Sequence, residues 1–149
     1  MPFSEGVFVG YKGYEREGTL LQFPFGHGLS YTRFRYRRLT TRAPGAGADD
    51  VRVRFTVRNV GRRTGREVAQ VYIGPLPTSV PTPPKQLAGF TKVNLDPRDR
   101  ERVTVTLDRR ALSYWDEAAD RWVTPRGTVP VYVGRSVEDI RLTGSVRIR

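Results

Sequence analysis

Residues 51–58 read Val-Arg-Val-Arg-Phe-Thr-Val-Arg, so apolar and polar side chains alternate strictly. Successive side chains of a β-strand point to opposite faces, and this period of two therefore predicts a strand with one face toward a core and one toward water. The residues predicted to face the core are Val51, Val53, Phe55 and Val57. The pattern favours folds in which a sheet is buried on one side only.

Weaker alternations elsewhere predict further strands, at residues 32–37, 87–95, 102–107, 129–133 and 140–148, and two strand ends at 112–115 and 121–123. Residues 67–73 are apolar at most positions, which predicts a strand buried on both faces. We expect an irregularity at Gly89, and Pro130 predicts an edge strand or a bulge.

Turn-forming segments separate these strands. Residues 43–50 predict a loop, residues 59–65 a turn with glycine at positive φ, and the five prolines between 75 and 84 an extended loop. About eight short strands and no convincing helix predict an antiparallel β-sandwich of immunoglobulin or fibronectin III type, and a small barrel is the alternative.

The first 30 residues differ from the rest, because they are rich in glycine and aromatic residues and show no helical periodicity. We interpret residues 1–30 as an irregular N-terminal arm and residues 31–149 as the sandwich. The connection is Phe23–Thr32, in which Pro24 restricts the backbone and two glycines flank His27. Rings in irregular backbone need a surface to pack against, on this domain or on a partner.

Two blocks carry a family resemblance: residues 5–14 with Phe-Pro-Phe-Gly-His-Gly-Leu-Ser-Tyr-Thr-Arg-Phe at 23–34, and residues 84–95 with 131–136. Together they resemble the C-terminal end of a glycoside hydrolase family 3 enzyme of β-glucosidase type. The resemblance implies that residues 1 to about 28 are the tail of its α/β domain plus linker, and that the remainder is its fibronectin type III-like domain. Residues 12–15, Lys-Gly-Tyr-Glu, depart mildly from the family's usual Arg-Tyr-Tyr-Asp.

The resemblance also implies a role. In the family, an N-terminal barrel supplies the nucleophilic aspartate in a Ser-Asp-Trp type motif, and the α/β domain commonly supplies the acid/base. The sequence has no Ser-Asp-Trp, and its 149 residues have no room for either domain. We therefore expect a truncated or split piece that is not catalytic on its own and that stabilises the catalytic domains, in cis or in trans. The residue 75–84 loop and the arm are the expected interface. Its candidate residues are Phe8, Tyr11, Tyr14, Phe23, Phe25, His27, Tyr31, Lys85 and Phe90.

Candidate catalytic groups are few. Glycoside hydrolysis needs two carboxyl groups across a cleft, and the nearest cluster, Asp116, Glu117 and Asp120, falls in a predicted hairpin turn, which favours a solvated role. Asp49–Asp50 and Glu138–Asp139 are interpreted in the same way. His27 is the only histidine and there is no cysteine, so we expect no metal or cofactor site and assign His27 a backbone hydrogen bond at the junction.

Tyr114, Trp115 and Trp122 flank one predicted hairpin and support an alternative function. Aromatic rings can stack on sugar faces, so an independent carbohydrate-binding module would use Trp115 and Trp122. Burial in the core or at an interface is the favoured interpretation of these rings.

The net charge of +11 raises a third hypothesis, nucleic-acid binding. Outward-facing arginines at 33, 35, 37, 52, 54 and 58 would form a positive sheet face if their strands pair, although carboxylates at 67, 99, 101 and 108 could pair with some of them. Because these faces lack interleaved aromatic residues, we expect no specific nucleic-acid partner and only weak polyanion binding.

The N-terminus shows no signal peptide and no apolar run is long enough to span a bilayer, so we expect no membrane partner and, for the chain expressed as it stands, a cytoplasmic location.

Overall fold

The computed structural model describes residues 6–43 and 50–149, and within them one short helix precedes nine strands. The elements are α1 (Tyr11–Glu17), β1 (Phe34–Arg42), β2 (Val51–Asn59), β3 (Gly65–Ile73), β4 (Gln86–Leu95), β5 (Arg100–Leu107), a 3₁₀ helix (Arg109–Leu112), β6 (Tyr114–Asp116), β7 (Arg121–Val123), β8 (Gly127–Gly134) and β9 (Ile140–Ile148).

The strands form two antiparallel sheets that pack face to face. One sheet has the order β1-β2-β5 and the other the order β4-β3-β8-β9, while β6 and β7 form a separate hairpin. This arrangement confirms the predicted β-sandwich.

The core lies between the inner faces of β2, β3 and β8. The alternation of β2 is confirmed, because Val51, Val53, Phe55 and Val57 are at most 1% exposed. They belong to one apolar cluster with the alternate residues of the other sheet, Ala69, Val71, Ile73, Val129, Val131 and Val133. Burial of one such Val or Phe side chain contributes about 1.5–3 kcal/mol.

Four local predictions need correction. The arm contains α1, which has Gly10 before it and ends at Gly18 in the left-handed conformation. Seven residues show too little periodicity to be recognised, and such a short helix depends on tertiary contacts. The strand end expected at 112–115 begins only at Tyr114, because the 3₁₀ helix, capped by Asp108, runs to Leu112.

The turn at 59–65 forms, but positive φ at its glycines was a wrong prediction, since neither Gly61 nor Gly65 has it. Both are glycine because of Thr32: a Cβ at Gly61 would lie 2.0 Å from Thr32 Oγ1, and one at Gly65 would lie 2.4 Å from Thr32 Cγ2. Thr32 Oγ1 donates to the buried Asn59 side chain (2.6 Å), so the start of the sandwich is fixed against this turn.

Pro130 lies in β8, an interior strand, so its assignment to an edge or a bulge is also wrong. The β3–β8 ladder begins only at Val131, and the Pro130 carbonyl still accepts from the Gly74 backbone N–H (2.8 Å). The missing N–H of proline is therefore tolerated just beyond the end of the ladder.

The irregularity expected at Gly89 is present, as a register shift that leaves Ala88 unpaired. In the predicted loop at 43–50, residues 44–49 lie outside the described residues.

Candidate docking surface

The arm covers the outer face of β3. Gln70 and Tyr72 point away from the core, yet Gln70 is 0% and Tyr72 2% exposed. The Gln70 side-chain amide donates to the backbone carbonyls of Phe25 (3.1 Å) and Arg135, and its carbonyl accepts from the Tyr72 hydroxyl. Every polar atom of this buried side chain is thus satisfied, and Gln70 fixes residues 25–26 to the sandwich.

Gly26 is essential to this contact. It has φ +87°, and a Cβ there would lie 2.1 Å from Gln70 Nε2 and 2.2 Å from the Arg135 carbonyl oxygen. Only glycine tolerates both the conformation and the close approach. By contrast, a Cβ at Gly28 would meet nothing within 4 Å.

The rest of the arm is held by polar contacts. The Leu87 backbone N–H donates to the Tyr11 hydroxyl (2.8 Å), Lys85 forms an ion pair with Glu15, and the Leu21 backbone N–H donates to Glu138 (2.6 Å). Burial raises the pKa of Tyr11 above its usual value. Glu138, which was expected to be solvated, is exposed and also accepts this hydrogen bond from the arm.

The opposite side of the arm presents apolar side chains to solvent. Exposure is 76% for Phe23, 104% for Leu29 and 90% for Tyr31. Phe25 packs edge to face on Phe90 of β4, with ring centroids 6.4 Å apart, and both rings stay mostly exposed. We call these five residues, Phe23, Phe25, Leu29, Tyr31 and Phe90, the aromatic seam.

The predicted interface residues therefore separate into two groups. Tyr11 of the arm and Lys85 of the sandwich join these two parts of the chain, whereas the seam residues and Tyr14 face outward. His27 packs its ring edge to face on Phe23 (5.3 Å), and its backbone N–H donates to the Pro24 carbonyl (2.8 Å). The guanidinium carbon of Arg16 lies over the Phe8 ring, 4.1 Å from the ring centroid.

Sequence reasoning missed Gln70. It is the one strongly polar residue in Val-Ala-Gln-Val-Tyr-Ile (68–73), a strand that was predicted to be buried on both faces. A buried amide requires hydrogen-bond partners from another segment, and that requirement was the available signal.

The hairpin aromatic residues lie on a second surface. Trp115 and Trp122 are directly opposite each other on β6 and β7, 42% and 45% exposed, and border a groove of about 420 Å³ with Tyr114. Their rings meet edge to face at 5.6 Å, and the Arg110 guanidinium covers Trp122 at 3.9 Å. The pair therefore does not form one flat platform.

A buried polar cluster joins the two sheets. Glu67, 4% exposed, accepts from the Tyr36 hydroxyl (2.8 Å) and pairs with Arg135 Nε (3.0 Å). Burial raises the pKa of Glu67 above its ordinary value, against the opposing effect of these two partners. Burial, with Glu67 beside it, strongly raises the pKa of Tyr36. Glu67 thus pairs within the sandwich and not with the outward-facing strand arginines.

The Asp116–Asp120 segment forms the predicted turn, in which Asp116 accepts from the backbone N–H groups of Ala118 and Ala119 (both 3.1 Å). Across residues 6–43 and 50–149, no three acidic or histidine side chains converge as metal ligands. The part of the chain that the structure describes has no helix with the length and apolar character needed to cross a bilayer.

Comparisons with known proteins agree with this architecture. Residues 67–137 match the model of the fibronectin type III-like domain. The probable β-glucosidase L of Neosartorya fischeri is 46% identical over 99% of this chain, which covers 22% of that protein. Two crystal structures also align. DesR, a β-glucosidase from Streptomyces venezuelae in complex with D-glucose, is 40% identical (TM-score 0.93; 99% of this chain, 19% of that one). The Bifidobacterium adolescentis GH3 β-glucosidase is 36% identical (TM-score 0.90; 97% and 21%).

The sandwich and the matched segment define a fibronectin type III-like domain. The chain spans about a fifth of the length of the relatives that it matches. It belongs with the C-terminal fibronectin type III-like domains of glycoside hydrolase family 3 enzymes of β-glucosidase type.

Proposed function

We propose that this chain is a non-catalytic domain that stabilises the catalytic part of a family 3 glycosidase by packing against it through the aromatic seam. The observation that carries the proposal is the two-sided arm. Its inner side is fastened to β3 by the buried Gln70, while its outer side exposes Phe23, Leu29 and Tyr31.

The energetics favour a partner on this surface. Burying one exposed Phe or Leu of the seam contributes about 1.5–3 kcal/mol. Because Gly26 and Gln70 already fix the segment, a partner need not order it, which reduces the entropic cost of association. Large apolar side chains exposed together on one segment mark interaction sites.

A chimera tests the proposal. This chain replaces the matching segment of the Streptomyces venezuelae β-glucosidase, and thermal inactivation is followed with an aryl β-glucoside. We expect the triple substitution Phe23→Ser, Leu29→Ser, Tyr31→Ser to lower the inactivation temperature. The control, Val60→Ser, removes an exposed apolar side chain that belongs neither to the seam nor to the 75–84 loop and should have little effect.

Two results would contradict the proposal. One is a seam variant that inactivates at the same temperature as the unsubstituted chimera. The other is hydrolysis of the aryl β-glucoside by the purified 149-residue chain, lost on Asp116→Asn or Glu117→Gln.

The second candidate function is carbohydrate binding at the hairpin, and the groove beside Trp115 and Trp122 is the observation that favours it. Against it, Arg110 already covers Trp122. Titration with a soluble β-glucan, followed by tryptophan fluorescence, distinguishes the two functions. Saturable quenching that Trp115→Ala abolishes would support the second candidate, and unchanged fluorescence would remove it.

A further inference from the structure

The outer face of the β1-β2-β5 sheet is lined with arginine. We define the arginine face as Arg35, Arg37, Arg38, Arg58, Arg100 and Arg102, which surround Thr56 and border a groove of about 430 Å³. The strand register arranges them in rows. Arg35 lies opposite Arg58, and Arg58 lies opposite Arg100. In the next row, Arg37 and Arg102 lie on either side of Thr56.

These rows are unfavourable for the folded domain alone. Neighbouring strands are about 4.8 Å apart, and like charges directly opposite each other destabilise a sheet. Among the described residues, none of the six arginines forms an ion pair within 4.0 Å, whereas Arg135 and Arg141 do. The nearby Glu101 lies opposite Val57, whose side chain is in the core, so it belongs to the other side of the sheet.

We propose that the arginine face binds a linear polysaccharide that carries carboxylate groups. Each guanidinium presents a planar fork of donors that matches a carboxylate. Along one strand, successive outward positions are about 6.7 Å apart, so a chain of acidic sugars can meet guanidinium groups at more than one position.

The composition of the face argues for this occupant. Its six arginines surround only Thr56, whose hydroxyl can bond sugar hydroxyls. The face lacks the aromatic platforms that single-stranded nucleic acid uses and the apolar side chains that insert into a membrane interface. It also lacks the apolar centre of a typical protein–protein interface. The arginine face lies on the β1-β2-β5 sheet, whereas the seam lies on the arm and on β4 of the other sheet, so this proposal does not depend on the function proposed above.

Binding of polygalacturonate to the full 149-residue chain tests the proposal. We expect saturable binding near 0.05 M salt that weakens strongly toward about 0.5 M, since exposed charges are screened. The variant Arg35→Gln, Arg58→Gln, Arg100→Gln should bind at least about tenfold more weakly. The control variant Arg121→Gln, Arg126→Gln, Arg147→Gln loses the same charge from exposed positions elsewhere and should bind as the parent does. Circular dichroism verifies that both variants fold.

The same binding assay is run with three other polyanions: dextran sulfate, polyglutamate and duplex DNA. Weaker binding of all three than of polygalacturonate supports the proposal. Tighter binding of dextran sulfate would overturn the preference for carboxylate, and equal binding of polyglutamate or DNA would overturn the assignment to a polysaccharide. Absence of polygalacturonate binding, or an equal loss in both triple variants, would overturn the site.

Discussion

The outer faces of β2 and β3 have the same strand geometry and opposite chemistry. On β2 the outward positions carry arginine and threonine, and the face is open to solvent. On β3 the outward positions include Gln70 and Tyr72, and the arm closes over them. The difference shows that one sandwich carries a covered outer face and an exposed one. A buried face is completed by the chain's own arm, while a charged face remains available to an external ligand.

The strongest test of the covered face is Gly26→Ala. The substitution forces a Cβ to within 2.2 Å of the Arg135 carbonyl oxygen at a positive φ, so we expect a loss of about 3 kcal/mol or detachment of the arm. Hydrogen exchange of residues 20–31 should increase sharply. Gly28→Ala is the matched control, because its Cβ has open space, and it should leave exchange unchanged. Equal exchange in the two variants would show that the arm does not depend on Gly26.

Gln70→Leu should have the next largest effect. It leaves the Phe25 and Arg135 carbonyls and the Tyr72 hydroxyl without their partner, and an unsatisfied buried group costs about 1–3 kcal/mol. Urea unfolding measures the loss. The control Gln22→Leu alters an exposed glutamine of the same arm and should change the unfolding free energy by less than about 0.5 kcal/mol. A similar change in unfolding free energy for both variants would mean that the Gln70 amide does not contribute to holding the arm on β3.

These two faces were not equally predictable from the sequence. The alternation at 51–58 specified which β2 side chains enter the core, because a period of two leaves one choice of face. The apolar run at 67–73 indicated burial on both sides, but not by which segment. Contacts between residues distant in sequence, such as Gln70 with Phe25, are set by tertiary packing, which local periodicity does not encode.

The arginine face, too, could be predicted only in part from the sequence. Arg35, Arg37 and Arg58 were recognised as outward-facing. Arg38, which has a positive φ and lies where the β1 register shifts, was not, and neither were Arg100 and Arg102. Arg100 and Arg102 belong to the arginine face because β5 pairs with β2, and local periodicity does not specify the order of strands in a sheet. The helix α1 was missed because seven residues give little periodicity and its stability depends on contacts such as Tyr11 with Leu87.

The polar cluster between the sheets predicts a pH effect of moderate size. The pKa of Glu67 is raised in the folded chain, so its protonated form is favoured by folding. Its contribution is therefore fully present below the unfolded pKa of the carboxyl and is lost as pH rises through the folded pKa. We expect the unfolding free energy of the parent, relative to Glu67→Gln, to decrease as pH rises from about 4 to 8. Glu101→Gln, at an exposed carboxyl, is the control. A difference that is constant with pH would contradict the assignment.

The smallest effect, and the one that most directly contrasts the two faces, is a gain in stability. Arg35→Gln, Arg58→Gln, Arg100→Gln removes a row of like charges, so it should raise the unfolding free energy by about 0.5–1 kcal/mol at low salt. The gain should shrink near 1 M salt, where the screening length falls to about 3 Å. The control triple at Arg121, Arg126 and Arg147 should show a smaller gain, because β1-β2-β5 pairing does not juxtapose these residues. Substitutions that stabilise the fold while weakening polygalacturonate binding would assign the row to ligand recognition, since a structural role would require the opposite sign.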